Sequence, residues 1–299
     1  MKRVLAPVGR ILAVLAIYYA AQNALAVLLG LGYIAVNGDI QSIYRFQEVL
    51  NEVINFLLDK TPYIVLFAAI IALASYFVIY RDRPHDVRAF LRYRPLDAAA
   101  IVMLAVFGIG VNFMVALLLT LLRSLPFLEP LFQNYEELSQ LIVGGDFVIT
   151  LLTVGIIGPV VEEIMFRGLI FGELRKIMPI KIALVVQAVL FGVYHLQPVQ
   201  GAYAAVIGLL LGLVYYRSSS MVAPMVVHIA INSFSVVSSA LLSDLAFGKS
   251  AGLIGLAGIL FFILSSAYLL VSRNFKYVID DSLYYLSRRP PRPPEHTAE

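Results

Sequence analysis

FVITLLTVGIIGPVVEEIMFRGLIF, residues 147–171, is apolar enough to cross a bilayer and yet carries Glu162, Glu163 and Arg167 in its second half. About 20 mostly apolar residues span a hydrocarbon core of roughly 30 Å. Ionisable groups within such a span cost several kcal/mol and usually mark function. Working outward, comparable apolar runs recur at 10–36, 62–80, 97–122, 181–197, 202–216, 221–243 and 252–272. The expected fold is all-α, a polytopic membrane helix bundle of about eight transmembrane helices.

Composition agrees. Of 299 residues, 61% are hydrophobic and 14% charged, where a soluble domain carries about a quarter charged. No basic face interleaved with aromatics stands out, so nucleic acid is not an expected partner. The absence of cysteine removes disulfides, thiolate ligands and a Cys nucleophile together. Met1-Lys2-Arg3 before an apolar run has the look of a signal peptide. The run from Ile11 to Val36 is too long for one and reads as the first membrane helix.

Four regions follow: 1–146, helices one to three with interfacial helices; 147–243, a catalytic helix core; 244–287, the last helix and its flank; 288–299, a Pro/Arg-rich tail expected to be disordered. Two amphipathic interfacial helices are expected, one from Ile40, Ile43, Phe46, Leu50, Val53, Ile54 and Leu57, the other from Leu131, Tyr135, Leu138 and Ile142. With both termini inside, the inner segments hold 18 of the 22 Lys and Arg, the bias expected of cytoplasmic loops. The chain is therefore expected to be an integral, multi-pass protein of the cell membrane with both termini cytoplasmic.

Glu163 and Arg167 stand at i, i+4 with the acid first, the favoured order for an ion pair. Adjacent helical residues point about 100° apart, so Glu162 is free to face another surface. Pro159 after Gly158 should kink the helix and open space there. Of four histidines, His85 falls in a charged loop and His296 in the tail; His195 and His228 are intramembrane. Asn232 follows His228 by one turn on the same face. Gln187, Asn112 and Asn23 read as interhelical hydrogen bonds, Phe191 as packing, and Gly208 with Gly212 as a small-residue packing surface.

Depth makes a shared site testable. Glu162 is 13 residues from Arg175, or about 20 Å. His195 is 14 residues from Lys181, or about 21 Å. His228 lies 7–11 residues from the Arg217–Met221 boundary, or about 10–16 Å. Three helices thus place rare polar groups at overlapping depths.

One free carboxylate, two imidazoles and one amide suit activation of water. A Glu acts as general base, an imidazole holds the water, and a second imidazole with an amide N–H stabilises an oxyanion. Ser233 and Ser235 lack a nucleophile elbow. Alternatively, Glu162, His195 and His228 could hold a zinc with water as fourth ligand, although no His-Glu-x-x-His signature is present.

Glu162-Glu163-Ile164-Met165-Phe166-Arg167, Phe191-Gly192-Val193-Tyr194-His195 and His228-Ile229-Ala230-Ile231-Asn232 match EExxxR, FxxxH and HxxxN in order, within about 70 residues. In these motifs the chain resembles the CPBP family of intramembrane proteases, which includes the type II CAAX prenyl endopeptidases and the Abi proteins. The resemblance covers 147–243 and does not reach helices one to three, the last helix or the tail. It implies hydrolysis of a peptide bond near the cytoplasmic side, in a membrane-associated protein or lipidated peptide, with prenylated CAAX-type proteins among the candidates. It implies Glu162 as the base, His195 as its partner on the water, His228 and Asn232 as the oxyanion site, and Glu163 with Arg167 as a support pair. Many relatives are called metalloproteases, whereas the prenyl endopeptidase branch looks like a metal-free glutamate protease. The metal-free form is the expectation here, because Asn232 suits an oxyanion and is a poor zinc ligand. Two rival classes remain: a proton-coupled transporter using the same charges, which should show an inverted repeat, and a non-catalytic membrane scaffold, which should tolerate loss of Glu162.

Overall fold

The computed structural model describes residues 2–38, 45–135, 146–241, 251–280 and 282. Helices dominate, and the described residues contain no strand. In chain order they are α1 (Lys2–Asn37), α2 (Phe46–Tyr80), the short α3 (Pro84–Phe90), α4 (Ala98–Arg123), α5 (Phe147–Ile177), α6 (Ile180–Tyr194), α7 (Pro198–Ser218), α8 (Val222–Leu241) and α9 (Ala251–Val271). Six of them (α1, α2, α4, α5, α7 and α8) are long and apolar enough to cross a membrane. The other two expected spans fall on α6, of 15 residues, and on the apolar stretch Gly255–Val271 within α9.

The segment expected as a separate interfacial helix, from Ile40 to Leu57, continues from Phe46 onward without a break into the second span, as one helix of 35 residues. Pro62, the expected boundary, lies inside it. Ile40 and Ile43 lie outside the described residues, as do Leu138, Ile142 and the tail from 288.

Local signals set the helix starts. Asp97 accepts from the Ala100 amide, Asp146 from Ile149 and Gln197 from Gln200, so each side chain satisfies a donor that the first turn leaves free. Pro198 takes the first position of α7, where a missing N–H costs nothing.

The centre of the bundle is α5, which meets α1, α2, α3, α6, α7 and α8. One apolar core joins it to α1, α2 and α6 through residues such as Val14, Ala72, Phe166 and Leu184. A second joins α4, α7 and α8 through Leu104, Leu211 and Val227. Outward, Leu28, Leu31, Phe77, Leu256 and Val271 are exposed, as helices facing lipid require. The shortness of α6, about 22 Å, goes with a very close approach to α7: a Cβ on Gly192 would lie 2.5 Å from the Gly201 carbonyl oxygen. Gly208 likewise admits Phe191, whose ring carbon would stand 3.0 Å from an added Cβ. The Gly208–Gly212 packing surface is thus in place.

The Lys/Arg-rich segments expected to share a side do meet at one end. Arg10 grips the fully buried Glu173 through Nε and Nη2, at 2.7 and 2.9 Å. Lys176 lies 2.6 Å from Asp86. Arg94 donates to Ser218 and Asn274 carbonyls, and Arg217 to that of Phe275. At the same end Arg175 donates to the Asp280 carbonyl. A hydrogen bond from Ser282 holds the Asp280 carboxyl below its ordinary range.

Candidate active site

The turn around Pro159 shapes the site first. α5 contains two π-helical stretches, Leu151–Ile157 and Ile164–Ile170, on either side of the α-helical Gly158–Glu163. Proline has no N–H, so the Gly155 carbonyl loses its usual helical donor. The Gly158 N–H reaches back to Thr153, so the Val154 carbonyl loses its donor as well. A carbonyl left bare in an apolar interior is costly. Two side chains of α8 take up both: Asn232 Nδ2 donates to Val154 at 3.1 Å and Ser233 Oγ to Gly155 at 3.0 Å. The proline and the π-helical stretch before it thus exchange two helical hydrogen bonds for two bonds to the neighbouring helix, and Gly158 and Pro159 line the cavity. Ser233, set aside as a nucleophile, has this structural role.

The two glutamates then diverge as their spacing implies. The Glu163 side chain is fully buried, while that of Glu162 keeps 21% of its surface exposed. Arg167 Nη1 donates to Glu163 Oε1 at 2.8 Å, and its Nη2 to the Gly208 carbonyl at 3.2 Å. The same Glu163 oxygen lies 2.7 Å from His228 Nδ1. His228 Nε2 faces the other way, 3.7 Å from Glu162 Oε2. A carboxylate accepts, so Nδ1 carries hydrogen and Nε2 is turned toward the cavity.

His195 ends α6. Its Nδ1 lies 2.8 Å from the Phe191 carbonyl, which also only accepts, leaving Nε2 for other partners. The next residue, Leu196, adopts φ 59°, a left-handed conformation that a branched side chain resists, and it turns the chain sharply into α7. Phe191 does more than fill space. Its ring meets His195 and His228 edge-on at 4.8 and 5.8 Å, and the Arg167 guanidinium stacks over it at 4.4 Å. The three motifs interlock around this ring.

Glu162, His195, His228 and Asn232 line one cavity of about 570 Å³, together with Tyr18 from α1 and Tyr194 beside His195. The depth reading thus brings together the residues it named. Among the polar residues read as interhelical ties, Asn112 reaches the Ile231 carbonyl and Gln187 that of Gly208. Asn23 instead donates to Tyr19, one turn back on its own helix. The contribution of α1 through Tyr18 and Gln22 carried no sequence signal, because a tyrosine in an apolar helix resembles any packing residue.

A zinc held by Glu162, His195 and His228 needs the three donors to converge. Among the described residues no three His, Cys, Asp or Glu side chains form such a group. The Nδ1 bonds of the two imidazoles, to Glu163 and to Phe191, do not decide this, because each ring keeps Nε2 available; the lack of convergence does. As arranged, this donor set does not fit the metal, and no step is derived through one.

Comparison with known proteins places the same stretch. Residues 144–234 match the family described as Rce1-like, type II CAAX prenyl endopeptidase. A protein of Bacillus subtilis (strain 168), provisionally named membrane peptidase YdiL, is 30% identical over 82 residues, 27% of this chain. That match spans 34% of the relative's length. No solved structure matches the chain. The matches bear out the resemblance to the CPBP family over this stretch, which supplies Glu162, His195, His228 and Asn232 to the cavity, while Tyr18 and Asn112 reach it from outside the match.

Proposed function

We propose that the chain is an intramembrane endopeptidase that hydrolyses a peptide bond of a membrane-associated protein with a water activated by Glu162. The observation that carries this is His228, set between a buried Glu163 on one nitrogen and the cavity-facing Glu162 on the other. A packing histidine needs one partner; this one is oriented on one side and presented on the other.

Glu162 takes a proton from water, and the hydroxide forms a bond to the substrate carbonyl carbon. His195, with Nδ1 tied to Phe191, offers the lone pair of Nε2 to the same water. The oxyanion receives hydrogen bonds from His228 Nε2–H and from the Asn232 amide hydrogen not used on Val154. Donation from Nε2 while Nδ1 donates to Glu163 requires hydrogen on both ring nitrogens of His228. The tetrahedral carbon expels the amine as its C–N bond breaks, and Glu162 passes its proton to the leaving nitrogen.

No Lys or Arg lines the cavity among the described residues, which favours an uncharged stretch of substrate at the cleaved bond. Prenylated CAAX-type proteins are the candidate class that the matched family brings. The protein acts, in this reading, in the cell membrane with the Lys/Arg-rich end cytoplasmic. The test is incubation of the purified protein in detergent with a prenylated CAAX-type peptide and an unprenylated control, beside the Glu162→Gln variant. Cleavage by wild type alone supports the reading; equal product from the variant ends it.

A further inference from the structure

Tyr194 carries a hydroxyl that the packing does not explain. Its ring is held on two faces, stacked on Tyr18 with centroids 6.4 Å apart and edge-on to Phe166 at 5.6 Å. Its oxygen is buried and has no hydrogen-bond partner. Tyr18, by contrast, has Gln22. The groups that act electrostatically on the Tyr194 hydroxyl are Tyr76, Tyr18, Glu162 and Tyr19. The last three of these line the cavity, as Tyr194 itself does.

A buried hydroxyl with no partner carries an unrepaid desolvation cost. Phenylalanine would make the same ring contacts without that cost. An extended peptide brought from water into the cavity has the complementary need, because each of its backbone carbonyls loses a hydrogen bond. Glu162 can only accept, and His228 and Asn232 are directed to the reacting carbonyl. A phenolic donor one residue before His195 is placed to serve the next carbonyl along.

We propose that Tyr194 donates a hydrogen bond to a backbone carbonyl of the bound peptide beside the bond that is cut. This rests on the reading of the site as a peptidase. Such a bond is present in both the ground state and the transition state, so it tightens substrate binding more than it speeds turnover.

The experiment compares wild type, Tyr194→Phe and Glu162→Gln, each full length in detergent, on the prenylated CAAX-type peptide, with thermal unfolding measured alongside. The expected result is a fall in kcat/KM of roughly 3–10-fold in Tyr194→Phe, carried by KM, with an unfolding midpoint at or above that of wild type. Unchanged kinetics would overturn the inference, as would a lowered midpoint, which would mark the hydroxyl as structural. A loss confined to kcat would place the hydroxyl on the reacting carbonyl and overturn the assignment. Wild type no faster than Glu162→Gln would remove the peptidase reading, and this one with it. Wild type that cleaves and is matched by Tyr194→Phe removes this one alone.

Discussion

Glu163 Oε1 lies 2.7 Å from His228 Nδ1, and the same oxygen receives Arg167 Nη1 at 2.8 Å. One carboxylate oxygen therefore joins the first sequence motif to the third. The i, i+4 spacing expects the Arg167 bond; nothing in the spacing shows that His228 shares it.

That sharing makes Glu163→Gln a test of two roles at once. An amide oxygen can still accept from both partners, but it leaves the Arg167 guanidinium buried without a counter-charge. Breaking a buried pair on one side costs about 3–5 kcal/mol. The variant should unfold at a clearly lower temperature, and in conditions where it stays folded its turnover should also fall, because a neutral amide replaces the carboxylate that holds His228 Nδ1. A variant with wild-type stability and turnover would remove both roles.

Glu162→Gln should behave in the opposite manner. The side chain is part exposed to the cavity and, among the described residues, has no ion-pair partner beyond His228 at 3.7 Å. The amide keeps its shape and loses only the base, so unfolding should stay within about 0.5 kcal/mol of wild type. Cleavage should vanish. Full activity would end the mechanism as drawn.

The spans and the residues at the site were legible because both are written in strong local signals. Apolar runs are long, and Glu162, His195, His228 and Asn232 are rare polar residues within them. What was not legible depends on pairing between helices. The bond from Asn232 to Val154 exists because Pro159 and the π-helical stretch before it leave two carbonyls of α5 without donors, and no pattern within α8 announces that need. The continuity of α2 was missed for a related reason: Pro62 reads as a break, yet the helix runs through it, since a membrane helix can lose one N–H bond and be held by its neighbours.

Topology has its own test. The segments with Arg10, Arg94, Lys176 and Arg217 gather at one end of the bundle through bonds to Glu173, Asn274, Asp86 and Phe275. On the proposed orientation, which follows their shared Lys/Arg excess, that end is cytoplasmic. Reporter fusions after Arg94 and after Asp146 should therefore report opposite sides, the first cytoplasmic. The same side for both would sink the arrangement.

Asn232 separates the metal-free mechanism from the zinc alternative, and the geometry supplies a control. Asn232 and Ser233 each satisfy one α5 carbonyl, so replacing either by alanine should cost similar stability, about 1 kcal/mol. Only Asn232 has a second amide hydrogen for an oxyanion. In the metal-free mechanism Asn232→Ala should lower turnover by roughly 10²–10³-fold, the usual cost of one oxyanion donor, with little change in substrate binding. Ser233→Ala should stay within a few-fold of wild type, chelators should do nothing, and the purified enzyme should hold less than one metal per chain. With zinc at the centre the order reverses. His195→Ala and His228→Ala would each lose metal as well as rate, Asn232→Ala would resemble Ser233→Ala, and added zinc would rescue the chelated enzyme. Elemental analysis of wild type and the two histidine variants, run beside their rates, decides between them. About one zinc per chain, lost in both, would overturn the glutamate mechanism and leave the peptidase itself standing.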